Sequence, residues 1–289
     1  MNMNENTARG LSQISLPFLF TMLLLAAPIV LLFAMSFWTQ DFLTIDHTLS
    51  LSNYKQAWSE PIYQTLMLRS LKISMIVTAL TVCLAYPAAY YMSFVVPNHR
   101  KALWVFLITI PFWTSYLMRI YLWKVILGYN GVVNGSLIDL GLIAEPLEFI
   151  LYNQLAVVVT LSHAWLPFAV LPIFVAMEKI DRSYLEAAQD LGDSAFWRFL
   201  RVTLPLSMTG VIAATLIVFV PTIGDYVTPK LVGGPDGLMI ANMIELQFKK
   251  ANNAPLGAAL ALSAMLLVAA VAAIFLWLNR RYLQTETRA

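Results

Sequence analysis

Acidic side chains are scarce among the apolar stretches of this sequence, and their placing limits the chemistry open to it. Asp225 alone stands near the end of such a stretch. With Tyr226 beside it, and with Trp113, Tyr116 and Glu245 in other segments, it suits attraction of a cationic amine by charge and aromatic faces. Asp225 also reads as the hydrated end of a helix beside Gly224, and the residues themselves leave both readings open. Arg119 either binds a carboxylate or is an interhelical arginine whose head reaches water or backbone carbonyls. His163, near Trp165 and Pro167, divides in the same way between a helix contact and a solute contact.

Bond-breaking chemistry finds no support. An intramembrane aspartyl protease needs two carboxylates sharing a proton, and no second acid falls in the apolar stretches. His47, His99 and His163 are isolated and no His-Glu-x-x-His occurs, so no zinc site is expected. The single cysteine, Cys83, allows neither a disulfide framework nor a cysteine metal cluster. No Gly-x-x-x-x-Gly-Lys-Ser/Thr phosphate loop is present, so ATP is not bound here in the usual manner. No catalytic residue, metal ligand or cofactor is therefore assigned to the chain.

The elements that position these residues are membrane helices. With 60% hydrophobic and 12% charged residues and a mean hydropathy of +0.72, the chain is too apolar for an ordinary soluble domain. A net charge of +2 with scattered basic residues excludes a nucleic-acid partner and leaves membrane lipid as the surroundings. Crossing a bilayer takes about 20 apolar residues, and stretches near 17–38, 67–95, 102–126, 154–177, 205–227 and 256–278 qualify. The expected fold is all-α and polytopic, with about six transmembrane helices in a single domain over 1–289. Arg9, Arg100, Lys101, Lys179, Arg182, Arg198, Arg201, Arg280, Arg281 and Arg288 fall on one side, which by the positive-inside rule places both termini in the cytoplasm. Pro28, Pro87, Pro111, Pro167, Pro172 and Pro221 lie inside spans, which fits kinked helices around a pathway better than a plain anchor.

One inner loop, about 179–204, is ordered rather than merely polar. Ser183-x-x-Glu186 has the form of a capping box and predicts a helix start. Gly192 is placed to end that helix in a left-handed turn, and Asp193 or Ser194 to cap a second helix containing Phe196, Trp197, Phe199, Leu200 and Val202. Leu204-Pro205 then turns the chain back into the membrane, with proline near a helix start.

Glu186-Ala187-Ala188, three residues, Gly192, nine residues, Val202, one residue and Leu204-Pro205 resemble the cytoplasmic loop signature of the membrane subunits of binding-protein-dependent ATP-driven importers. The resemblance sharpens to the spermidine/putrescine permease subunits through Pro111-Phe112-Trp113-Thr114-Ser115 with Arg119, Leu166-Pro167-Phe168, Gly224-Asp225-Tyr226-Val227-Thr228-Pro229 and Leu231-Val232-Gly233-Gly234-Pro235. It implies a core permease region of about 67–278 in a bacterial inner membrane. It also implies a second permease subunit, two copies of an ATPase holding ATP and Mg, and a periplasmic solute-binding protein. In that family the loop helix docks into the ATPase: Glu186 makes polar contact, Ala187 and Ala188 permit close approach, and Gly192 supplies the turn. A related importer of amino acids or opine-like amines, and a passive channel, are the alternatives; a channel has no need of this loop.

Overall fold

A computed structural model of the chain describes residues 3–42 and 44–283; Arg288 and the side chain of Arg9 lie outside what is described. Helix α1 (Met3–Ser36) leads to a small antiparallel hairpin, β1 (Thr39–Asp41) and β2 (Thr44–Asp46). Helices α2 (Ser52–Ser59), α3 (Pro61–Tyr90), α4 (Asn98–Thr109), α5 (Tyr116–Ile126), α6 (Val132–Asp139) and α7 (Gln154–Glu178) follow. After them come α8 (Arg182–Asp190), α9 (Ala195–Arg198), α10 (Leu204–Ile223), α11 (Gly234–Gly237), α12 (Ile240–Lys249), α13 (Ala254–Leu278) and α14 (Arg280–Leu283).

Among the described residues, five helices are long and apolar enough to cross a membrane: Gln13–Ser36, Pro61–Val95, Gln154–Glu178, Ala195–Ile223 and Ala254–Leu278. The sixth expected span, 102–126, is broken. Asn98–Trp113 and Tyr116–Ile126 meet at 85°. Pro111 lacks an amide donor and its ring crowds the preceding turn, so α4 tightens into a 3₁₀ turn at Ile110–Trp113 and the chain leaves the helix at Thr114-Ser115.

The described residues fall into two compact units. One lies within Met1–Gln64 and Met243–Leu266. In it Asn53 donates to the carbonyls of Ser36 and Trp38 at 3.0 and 2.6 Å, and the Ser36 and Tyr54 hydroxyls are 2.8 Å apart, so the end of α1 is tied to α2. Through Gln13–Ser36 most side chains of α1 are exposed.

The second unit, within Thr65–Asn242 and Leu267–Ala289, holds most of the apolar core. Helix α7 is at its centre: Val157, Leu161, Ile173 and Met177 are fully buried among Ile73, Val77, Ile120, Ala214, Val218 and Met239. The α7–α10 contact is unusually close. A Cβ built on Gly210 would stand 2.5 Å from the Pro172 carbonyl and 2.6 Å from Ala176 Cβ, so only glycine permits this spacing. Asn153 starts α7 by accepting from the Ala156 amide at 3.0 Å.

Three wider turns, with hydrogen bonds five residues apart, interrupt the helices of this unit at Tyr91–Val95, Phe199–Thr203 and Pro229–Gly233. The second corrects the expected return at Leu204-Pro205. No turn occurs there; α9, the wide turn and α10 run on as one helical span, Ala195–Ile223. Pro205 has no amide to donate and would crowd the carbonyl four residues back. The widened turn just before it, in which the Leu204 amide reaches Phe199, absorbs that mismatch without breaking the helix.

Candidate functional site

The connection between α7 and α10 is built almost entirely from local signals. Helix α8 starts two residues earlier than the capping box predicts. Asp181, not Ser183, is the N-cap, its Oδ1 accepting from the Ser183 amide at 2.9 Å. A carboxylate at this position both satisfies an orphan amide and faces the positive helix end, which the Ser183 hydroxyl would do less well. The Ser183 backbone amide, and after it the Ser183 side chain, hold the Asp181 carboxyl below the usual carboxylate range. Glu186 is thus released from a capping role and stands exposed one turn into the helix.

Gly192 ends α8 as expected, at φ +87°. The Gly192 amide donates to Gln189 O at 2.9 Å and the Asp193 amide to Ala188 O at 3.0 Å, the paired bonds of a Schellman turn. Ser194 caps α9 through the Trp197 amide, while Asp193 holds Arg201 at 2.8 Å and Arg198 donates to Gln189 at 2.7 Å. These pairs hold α8 against the start of the next span. Of the two alanines, Ala188 is turned into the subunit and buried, whereas Ala187 is exposed. Beside Glu186 and Ala187 the loop exposes Tyr184, Leu191, Phe196 and Trp197, with Leu191 88% accessible. A charged loop that shows this much apolar surface has the character of a contact face.

At the other end of α10 the chain leaves the helix at Gly224, and Asp225 gathers the break. Its Oδ2 accepts from the Tyr116 hydroxyl at 2.5 Å and from Thr228 Oγ1 at 2.6 Å; its Oδ1 accepts from the amides of Val227 and Thr228 at 2.8 and 3.3 Å. The carboxylate therefore caps the turn that follows and binds it to the first residue of α5. The Asp-x-x-Thr spacing at 225–228 is a capping signal that sequence reasoning passed over. Tyr226 keeps its ring exposed while Asn242 donates to its carbonyl at 2.7 Å.

The remaining candidates divide. Arg119 reaches the Ala164 carbonyl at 3.4 Å and lies 5.7 Å from the Tyr116 ring centre, and its Nε is buried without a partner. The Trp123 indole donates to His163 Nδ1 at 3.1 Å, so the histidine is a helix contact in this arrangement. Trp113, 83% exposed, sits at the α4–α5 break. Glu245 belongs to the other unit, where it pairs with Lys249 at 3.2 Å. Tyr116 and Asp225 are thus joined directly, and Arg119 lies next to Tyr116.

Residues 11–284 match the family described as binding-protein-dependent transport system inner membrane component. The chain belongs to that family. It is 38% identical over 254 residues to the spermidine/putrescine transport system permease protein PotB of Haemophilus influenzae, covering 88% of each chain. To the protein of the same name in Escherichia coli it is 34% identical over 260 residues, covering 90% of this chain and 93% of the relative. A bacterial alginate ABC transporter solved in complex with an alginate pentasaccharide-bound periplasmic protein shares the fold at a TM-score of 0.72 and 16% identity, over 97% of this chain and 98% of that one. The protein is accordingly an inner membrane permease subunit of an ABC importer, in a family of transport proteins rather than enzymes.

Proposed function

We propose that this permease subunit moves a polyamine of the spermidine/putrescine class inward, and that a separate ATPase, holding ATP and Mg, drives it by docking on α8 from the cytoplasm. The observation that carries the docking reading is the α7–α10 connection itself. Its helix is capped by Asp181, stopped by Gly192 and braced by Arg198 and Arg201, and it presents Glu186, Ala187 and an apolar fringe outward. Two copies of the ATPase, one on each of two permease subunits, and a periplasmic binding protein complete the assembly. The binding protein in the solved alginate transporter supports that last partner. Both termini lie in the cytoplasm in this reading, because the loop's Lys179, Arg182, Arg198 and Arg201 share a side with Arg280 and Arg281.

The polyamine assignment follows the two PotB relatives. Asp225 does not serve it as a free carboxylate, since all its accepting directions are filled from within the subunit. A second reading, a solute carrying a carboxylate such as an amino acid, is favoured by the unpartnered Nε of Arg119. Uptake of radiolabelled polyamines, amino acids and sugars by the reconstituted complex, with and without ATP and binding protein, separates these. Uptake without ATP would sink the importer reading, and competition by anionic solutes alone would sink the polyamine one.

A further inference from the structure

Glu178, the last residue of α7, ends the span that leads directly into the docking loop. Its Oε1 accepts from Ser93 Oγ at 2.6 Å and from Lys101 Nζ at 2.6 Å, and its Oε2 accepts from Lys101 Nζ at 2.8 Å. Ser93 lies in the wide turn that closes α3 and is 2% exposed; Lys101 is in the first turn of α4, its side chain only 13% exposed. One carboxylate therefore joins the ends of three helices.

Neither charge is supported by its own helix. Glu178 sits at the negative end of α7, whose last turn has no basic residue, and Lys101 at the positive end of α4, whose first turn has no acidic one. Each is stabilised by the other, and the mostly buried ammonium would be costly to leave unpaired. A cavity of about 220 Å3 lined by Ser93, Asn98, Lys101, Glu178, Ile180 and Arg182 adjoins the pair. The contact is thus polar and beside open space, unlike the glycine-tight packing of α7 on α10. A polar contact beside open space can be re-formed in another register, whereas close packing around a glycine ties two helices together.

Helix α4 has this pair at one end and the 85° break at the other, beyond which Tyr116 holds Asp225. We propose that Ser93, Lys101 and Glu178 form the joint that transmits movement of the docking loop to α3 and α4, and through α4 to the Tyr116–Asp225 clasp. The three are positioning residues for coupling. The proposal rests on the docking reading of α8 and adds the path by which the docked helix acts.

The test uses the reconstituted importer, with its second permease, ATPase and binding protein. In Lys101→Met the ATPase should still co-purify and hydrolyse ATP at the unstimulated rate, but stimulation by substrate-loaded binding protein and uptake should both fall by about tenfold, within the range of measured coupling factors. Lys101→Arg should stay near wild type. The reversal Lys101→Glu with Glu178→Lys should recover coupling, and it should fold because each new charge then suits its helix end. Stimulated hydrolysis and uptake within about twofold of wild type in Lys101→Met, failure of the reversal to recover, or loss of the ATPase from the Lys101→Met complex would each overturn the joint. Glu186→Arg tests the docking reading separately. If it leaves ATPase association and uptake unchanged, that reading fails whatever Lys101→Met does; if it is damaging while Lys101→Met is silent, only the joint fails.

Discussion

Replacing Gly192 tests the proposed docking role of the α7–α10 connection at the point where its shape depends on one residue. At φ +87° an L side chain is strained, yet a Cβ built there has nothing within 4 Å, so the cost is conformational and not steric. The turn is held by the Gly192 and Asp193 amides, two bonds together worth about 1–3 kcal/mol. Valine adds strain of about 2–3 kcal/mol, a fall of about 30- to 150-fold in the ratio of turned to unturned loop. Strain of that size matches or exceeds what the two bonds supply, so the competent turn loses its clear majority. Alanine, without the second branch, costs about 1 kcal/mol, and asparagine, which tolerates left-handed backbone, only a fraction of that. In proteoliposomes carrying the whole importer, uptake and binding-protein-stimulated ATP hydrolysis should decline in the order Gly, Asn, Ala, Val. Gly192→Val should lose about tenfold or more, with insertion and yield unchanged, because the residue touches no packed neighbour. Wild-type transport by Gly192→Val would refute the reasoning, and so would an asparagine variant as damaged as valine, since the loss would then not track the backbone angle.

Three further outcomes are expected. Asp181→Ala should speed amide exchange at Ser183 and Tyr184; in the wild type the Asp181 carboxyl is depressed, so its contribution is complete above the ordinary carboxylate range near about pH 4 and is lost as pH falls through the lower folded value, which exchange against pH will show. Gly210→Leu should force α7 from α10 and destabilise the subunit by about 1–3 kcal/mol or more, read as a lower unfolding midpoint in detergent. Asp225→Ala should cost about 1.5–3 kcal/mol for each of the lost bonds to Tyr116 and Thr228, in the absence of any solute. A variant with weaker solute affinity and unchanged midpoint would instead make Asp225 a solute ligand.

The membrane class and five of the spans were legible because apolar length is a local property that hydrocarbon enforces along each segment. The loop's turn at Gly192 was legible for a similar reason, since it depends on a few neighbouring residues, and the structure settled the second cap on Ser194 rather than Asp193. The start of α8 was misplaced because Asp181 and Ser183 both suit a cap, and the carboxylate won. Pro205 suggested a helix start, yet a wide turn at Phe199–Thr203 let the helix pass through it. Pro111, inside an equally apolar stretch, bent its span by 85°.

What the sequence determined by itself was the kind of protein and the glycine turn in the α7–α10 connection, because span length and a glycine turn are set by residues close in the chain. Only the tertiary structure decided what the charged and polar side chains do. Tyr116 and Asp225 are 109 positions apart, Lys101 and Glu178 77, and Ser93 and Glu178 85. Packing of α3, α4, α5, α7 and α10 brings them within hydrogen-bond distance, and a side chain's partner depends on that packing rather than on its neighbours in sequence. For that reason Asp225, exposed in prospect to a cationic solute, is in the folded subunit a satisfied cap, while Glu178, unremarked in the sequence, joins three helices at the base of the loop.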